Sequence, residues 1–457
     1  MRSLGIVISA LLVAVTAAPA GAQDAAAMRR EIEQLRQQLQ GLTERLQRLE
    51  TQPAPQMAAP PPAQPGPLAQ SPANPQTQMS PPSATELLRP RQPFGLYQQR
   101  GSGQLLFDMG IAGDFVGSFT QHNVQKANGG TFTGRENRFF PREVELSLFG
   151  QIDPFARGEM RIESGEEAPG GEMNVTLAEA FITLLTLPYG TQAKLGQMRN
   201  RFGWSNVIHE HDLPWIDRPD VYRVFLGEEG LKEKGVEGTW VPDFLPFYVQ
   251  VLGGVFNGDN ETAFGRGLLT HPLATGRVMT FFDLTDTQAL QVGASVANGE
   301  TAERLRSTLL GFDLKYKFRP EGWLHPLLTL GSEGIYSIRR TERGVDVDGD
   351  GSPDLFQKQT RNSFGWYGWG ELQPWRRWAF GVRYDSTQFP AAPGYQWAVE
   401  PYVTFYPSEF LRFRMAYKHT DRSHPFDVAG NGGSARLVDE LLFQATFILG
   451  AHPAHAF

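Results

Sequence analysis

From about residue 96 to Phe457 the chain repeats one pattern that leaves few folds open to it. Runs of about ten residues alternate apolar and polar, and short and long connectors separate them. Candidate strands begin near residues 103, 142, 155, 176, 190, 234, 246, 275, 288, 307, 323, 362, 377, 396, 410 and 437. The short connectors carry tight-turn chemistry: Asp153-Pro154, Leu187-Pro188-Tyr189-Gly190, Thr285-Asp286-Thr287, Arg319-Pro320-Glu321-Gly322, Gln373-Pro374-Trp375 and Tyr406-Pro407-Ser408. The long ones, such as 298–306, 339–362 and 420–436, are polar. A propeller or solenoid also repeats, but has no reason to sort its loops by side. The pattern predicts an all-β transmembrane barrel of about sixteen antiparallel strands.

Composition agrees. The 457 residues hold 31 Phe, 12 Tyr, 9 Trp and 49 Gly, yet charged residues reach 20%, and mean hydropathy is -0.33. A chain with one lipid-facing and one wet face per strand averages out in this way. The net charge of -7 argues against nucleic acid as a partner, and the chain has no cysteine.

Period two assigns the faces. Near 410, Leu411, Phe413, Met415 and Tyr417 face lipid while Arg412, Arg414 and Lys418 face the lumen. Near 307, Phe312, Leu314, Tyr316 and Phe318 face out, and Asp313, Lys315 and Lys317 face in. Near 377, Trp378, Phe380, Val382 and Tyr384 face out against Arg383 and Asp385; near 155, Arg157, Glu159, Arg161 and Glu163 share the inner face. A basic residue on the lipid face would cost about 2–4 kcal/mol near the midplane. Leu441, Phe443, Ala445, Phe447 and Leu449 alternate outward in the last strand, and the chain finishes on Phe457.

The first 95 residues read differently. Residues 1–22 carry Arg2, an apolar stretch and Ala20-Gly21-Ala22, the layout of a signal peptide. Residues 23–50 place Met28, Ile32, Leu35, Leu39, Leu42, Leu46 and Leu49 on a heptad seam, a short coiled coil expected in the periplasm. About three heptads are marginal alone, so assembly is expected only when the main domain brings copies together. Residues 51–95, rich in Pro, Ala and Gln, form a semi-rigid linker. The barrel then occupies 96–457.

Between the strands near 190 and 234 lies a long polar loop, from Ser205 to Glu233, the third on the long-loop side. With the heptads and the linker, three stretches resemble the phosphate-selective porin O/P superfamily and its coiled-coil-bearing relatives. They are Glu179-Ala180-Phe181-Ile182-Thr183, Lys194-Leu195-Gly196-Gln197-Met198-Arg199-Asn200-Arg201-Phe202-Gly203 and Gly381-Val382-Arg383-Tyr384-Asp385. The resemblance implies a sixteen-stranded homotrimer whose third loop folds inward, with Lys194, Arg199 and Arg201 facing the pore. His209-Glu210-His211-Asp212 depart from what a phosphate channel would place there.

Three groups of residues could carry chemistry. Lys194, Arg199, Arg201, Lys315, Lys317, Arg383, Arg412, Arg414 and Lys418 could line the pore and select anions. Alternatively they pair with Glu143, Glu145, Glu159, Glu163, Glu371 and Asp313 in a solvated lumen. His209, His211 and Asp212 offer imidazole and carboxylate to a metal, without the fixed spacing of a zinc motif. Asp346, Asp348, Asp350 and Asp354, with Gly351, follow the front half of a calcium loop, but Gln357 stands where a bidentate Glu is wanted. No Gly-x-Ser-x-Gly elbow occurs and no Ser, His and Asp set can be assigned, so no enzyme activity is expected.

The reading is an outer-membrane porin of a Gram-negative-type bacterium, with small hydrophilic solutes, outer-membrane lipids and its own copies as partners. Anions such as phosphate or carboxylates would be favoured and no cofactor required, with Ca2+ a candidate in one extracellular loop. The alternatives are a metal-ion or metal-complex channel or binding protein using the third loop, and a barrel that tethers the envelope through its coiled coil.

Overall fold

The computed structural model describes residues 98–100, 103–105, 107–120, 137–166, 173–345, 355–428 and 433–450, all within the unit Ala84–Phe457. The signal peptide, coiled coil and linker expected over 1–95 lie outside these residues, as do Asp346, Asp348, Asp350, Asp354 and Phe457.

A small hairpin, β1 (Gln98–Arg100) and β2 (Gly103–Leu105), precedes sixteen barrel strands. These are β3 (Phe107–Thr120), β4 (Arg138–Asp153), β5 (Ala156–Glu166), β6 (Met173–Leu187), β7 (Thr191–Arg199), β8 (Lys232–Trp240), β9 (Tyr248–Phe256) and β10 (Leu273–Thr285), followed by the second half of the wall. That half comprises β11 (Gln288–Glu300), β12 (Arg306–Phe318), β13 (Leu327–Val345), β14 (Leu355–Trp375), β15 (Trp378–Gln388), β16 (Tyr395–Ser408), β17 (Leu411–Val428) and β18 (Gly433–Gly450). Each strand pairs antiparallel with its neighbours in sequence, and β18 closes on β3 from Glu440↔Thr120 to Gly450↔Gly110. Closure leaves no unpaired edge, which a sheet in hydrocarbon requires. Among the described residues no helix is long and apolar enough to cross a membrane.

The alternation reads as expected. In β15, Trp378, Phe380, Val382 and Tyr384 are exposed outward while Arg383, Asp385 and Thr387 are buried inward. In β17, Phe413, Met415 and Tyr417 face out, and Arg414, Lys418 and Thr420 face in. Phe155, Tyr189, Phe244, Trp323 and Trp375 are exposed beside the short-turn end, the aromatic placement of a membrane interface.

The strands outrun the sequence expectation at the long-loop end. Much of 339–362 is not loop, because β13 and β14 stay paired to Val345↔Leu355. Likewise β11 and β12 pair to Glu300↔Arg306, and β17 and β18 to Val428↔Gly433. Past the lipid boundary both faces meet water. Glu342, Lys358 and Gln359 are all exposed there, so the hydrophobic alternation vanishes while the backbone ladder continues.

The connection between β7 and β8, residues 200–231, is the longest in the barrel. It does not stand in solvent.

Candidate functional site

The third loop is built as a second core. Phe202, Leu213, Trp215, Ile216, Val221, Tyr222, Phe225, Leu226 and Leu231 are all buried in one cluster with inward residues of the wall. A side-chain set of this kind drives a loop into the lumen by the same apolar burial that drives folding. Pro219 leads into one short helix, α1 (Asp220–Leu226), which Gly227 ends in the left-handed region (φ +84), donating its N–H to Arg223 O at 3.0 Å. Gly203 is also left-handed (φ +72), and a Cβ there would collide with Tyr222 Oη and Glu333.

Folding a loop into the lumen buries its backbone carbonyls and charges, which must then find partners. The barrel wall supplies them. Arg383 Nη2 reaches Asp217 Oδ1 at 2.6 Å and Glu400 at 2.7 Å, its Nη1 donates to Asp217 O at 2.8 Å, and its Nε reaches Asp385 at 2.7 Å. Lys418 Nζ bridges Asp217 Oδ2 at 2.7 Å and Asp220 Oδ1 at 2.8 Å. Arg414 donates to Leu213 O at 3.0 Å and Trp215 O at 2.9 Å, and Arg142 to Ile216 O. Glu333 accepts from Trp204 N at 2.6 Å, Tyr222 Oη at 3.0 Å, Tyr367 Oη at 2.5 Å and Ser205 Oγ. Burial alone would push the Asp217 carboxyl up; Arg383, Lys418 and Arg223 outweigh it and hold the group well below the usual carboxylate range.

The expected basic ladder therefore divides in two. Arg383, Arg414 and Lys418 do face inward, but each is buried beneath the loop, so they hold the loop in place and meet no open water. Arg412 stands beside them, with Nη2 3.5 Å from Thr446 Oγ1. The loop leans on β13–β17 and β4–β6, and a cavity of about 470 Å³ remains against β5–β7 and β9–β11. Lys194, Arg199 and Arg201 line it together with Arg157, Arg161 and Arg277; Glu159 and Glu179 are its acidic members. Most of these cations have acids behind them: Arg161 has Glu179 at 2.7 Å, Arg201 has Glu237 at 3.2 Å, Arg199 has Glu229 at 3.2 Å and Arg277 has Asp313 at 2.9 Å. Lys194 makes no ion pair among the described residues; its Nζ lies over the Phe181 ring at 4.4 Å. Lys315 Nζ lies over Trp204 at 4.5 Å, and Lys317 follows on the same inward face of β12.

The histidines come together as well. The rings of His209 and His211 are 5.8 Å apart, both buried, with Asp212 Oδ2 3.1 Å from His211 Nε2. Around them stand wall carboxylates from β4, β5 and β6: Glu143, Glu145, Glu163 and Glu179. Burial and Arg199 would each lower the His209 imidazole, but its carboxylate neighbours Glu143, Glu145 and Glu163 raise it well above the usual histidine range. His211 is pushed up to about 10, Glu143 and Asp212 outweighing burial.

Sequence reasoning named the two histidines and placed Glu143, Glu145 and Glu163 on inner faces, but did not join them, because their meeting depends on where the loop lands. Asp217, Asp220 and Glu333 were missed. The pair Asp217 and Asp220, beside buried Trp215 and Val221, was the available signal: two acids and two arginines inside a run of large apolar residues carry more polar groups than Arg223 and Asp220, paired at 3.1 Å, satisfy between themselves.

No protein-family model matches the chain. It is 29% identical over 351 residues to an uncharacterized protein of Aquifex aeolicus (strain VF5), covering 69% of each chain. Among solved structures it is similar to the outer membrane channel DcaP of Acinetobacter baumannii (TM-score 0.50, 11% identity, 78% of this chain and 100% of that one). Another similar structure is an anion-selective porin from Comamonas acidovorans (TM-score 0.49, 8% identity, 76% of this chain and 100% of that one). The likeness to the channel from Acinetobacter shows the fold.

Proposed function

We propose that this chain is an outer-membrane porin through which small hydrophilic solutes, anions favoured, diffuse past the third loop. The observation that carries the reading is the cavity left between the docked loop and β5–β11, where six basic side chains stand against two acids on the lining. A ring of Arg and Lys at a narrow wet passage favours anions. Lys194, the lining cation without an ion pair among the described residues, is the one least neutralised. Phosphate and carboxylates are the solute classes such a site suits. Assembly as a homotrimer belongs to the same reading and rests on the resemblance noted above; the coiled coil over 23–50 would sit in the periplasm.

The test is the reversal potential of single channels in a salt gradient. Reversing the charge of the lining with Lys194→Glu and Arg201→Glu together is expected to move the reversal potential from the anion side toward the cation side, with conductance retained. A wild-type channel that prefers cations, or a reversal potential indifferent to both changes, would refute anion preference. The His-bearing segment does not favour a metal-ion conduit, since His209 and His211 are buried between loop and wall and do not line the cavity.

A further inference from the structure

The cluster at His209 has a property that neither channel conduction nor loop docking explains. Its Nδ1 is surrounded by three carboxylates of the wall: Glu145 Oε2 at 2.8 Å, Glu163 Oε1 at 2.9 Å and Glu143 Oε1 at 3.8 Å. One ring nitrogen carries one proton and can satisfy one of them. Glu163 takes that hydrogen bond. Glu145 Oε2 is buried and aimed into the cluster, 2.8 Å from Nδ1 but without a well-aligned hydrogen bond. Leaving a buried carboxylate oxygen without a well-formed hydrogen bond is costly; Glu143 has His211 Nδ1 at 3.0 Å, so the mismatch is that of Glu145 and Glu163, two acids at one proton.

The geometry fits a different occupant. One ligand atom from each of Glu143, Glu145, Glu163 and His209 lies within 4.8 Å of all the others, and all four residues are buried. Bonds of about 2.2 Å to a central ion place its ligand atoms about 3–4.4 Å apart. The outer groups are arranged to suit. His209 Nε2 stands 3.0 Å from Glu179 Oε2, and Glu179 is itself held by Arg161 at 2.7 Å. A ligating histidine whose other nitrogen donates to a carboxylate is the usual support of a metal site. Arg161 Nη1 also lies 2.7 Å from His209 Nε2; with hydrogen on Nε2 both are donors, so the planar guanidinium must move away from Nε2 as a unit while keeping Glu179. On the far side His211 Nδ1 stands 3.0 Å from Glu143 Oε1, and Asp212 holds the other His211 nitrogen at 3.1 Å. Both orient Glu143.

We infer that Glu143, Glu145, Glu163 and His209 Nδ1 form a binding site for one divalent metal ion per protomer, clamping the third loop to β4 and β5. One imidazole and three carboxylates suit Mn2+ or Zn2+, ions that accept mixed nitrogen and oxygen ligands. Binding releases the Nδ1 proton to solvent and leaves Nε2–H donating to Glu179. The site joins a loop residue to three wall residues, so the ion stabilises the docked loop and no other arrangement of it. The inference stands apart from anion selectivity, because its ligands are not the cations of the cavity lining.

The full chain in detergent, stripped with chelator and dialysed, is titrated with Mn2+ while the electron paramagnetic resonance signal of free Mn2+ is followed. One site per protomer and a rise in the temperature of thermal unfolding on adding Mn2+ or Zn2+ are expected. Glu145→Gln and Glu163→Gln, each isosteric and each removing the charge of a direct ligand, are each expected to weaken binding by at least the about 10–100-fold that loss of an outer partner costs, whereas Lys358→Gln, at an exposed position of β14, leaves it unchanged. Absence of stoichiometric binding together with an unchanged thermal transition in the wild type would overturn the site, even if a variant fails to fold. So would wild-type affinity in both Glu145→Gln and Glu163→Gln, with the barrel intact by its heat-dependent gel mobility.

Discussion

Replacing Lys418 by Met tests whether buried ion pairs hold the third loop. Lys418 Nζ touches Asp217 and Asp220 at 2.7 and 2.8 Å, and all three side chains are buried. Met keeps most of the volume and removes the charge. Breaking a buried pair from one side costs about 3–5 kcal/mol. The lower end applies here, because Asp217 keeps Arg383 at 2.6 Å and Asp220 keeps Arg223 at 3.1 Å and Gln396 at 2.7 Å. About 3 kcal/mol is about two orders of magnitude in the ratio of docked to released loop. The barrel should survive, since its strands are held by their own backbone ladders. The chain has no cysteine, so a single Val221→Cys change places a thiol on α1 at a fully buried position. Its labelling by a small thiol reagent reports release of the loop. With Lys418→Met the labelling rate is expected to rise about a hundredfold, with added open-channel current noise. Labelling within a factor of about two of the Lys418 protein, in a barrel that still runs folded on gels, would show that apolar packing alone seats the loop and that the pairs are incidental.

Other expectations follow from the same contacts. Glu333→Ala strands Ser205, Tyr222 and Tyr367 hydroxyls and the Trp204 N–H in a buried site; a loss of about 2–4 kcal/mol in loop docking is expected, read by the same thiol. Unchanged labelling would remove Glu333 from the anchoring set. Asp217 is held below its ordinary range by Arg383 and Lys418 against burial. A depressed carboxylate contributes stability that is fully present above its unfolded value of about 3.9 and is lost as pH falls through the folded value. The loop should therefore stay docked on acidification to about pH 4 and release only below it. Release beginning near pH 6 would mean that another group controls it.

The sequence by itself determined the barrel. Period-two alternation, turn residues at regular intervals and an even strand number are local properties, each set by residues close together in the chain. Lipid enforces them one strand at a time, because a misplaced charge such as Arg383 or Arg414 would have nowhere to go on the outer face. The same reasoning reached the inner or outer side of nearly every charged residue named, and the position of the third loop in the connector order. It stopped where strands leave lipid, at 339–362, since water on both faces erases the pattern without ending the backbone pairing. It stopped again at the loop itself.

What only the tertiary structure decided is which inward charges meet the loop and which meet water. Lys418 and Lys194 look alike in sequence, each a lysine on an inner face. One is buried against Asp217 and Asp220, far away along the chain, and the other lines the cavity. The difference arises because an inserted loop is placed by the sum of many long-range contacts, from Arg142 in β4 to Lys418 in β17. No short window of sequence contains that sum. The acidic cage around His209 depends on it too, since Glu143, Glu145 and Glu163 surround the imidazole only once the loop has crossed the lumen to reach them.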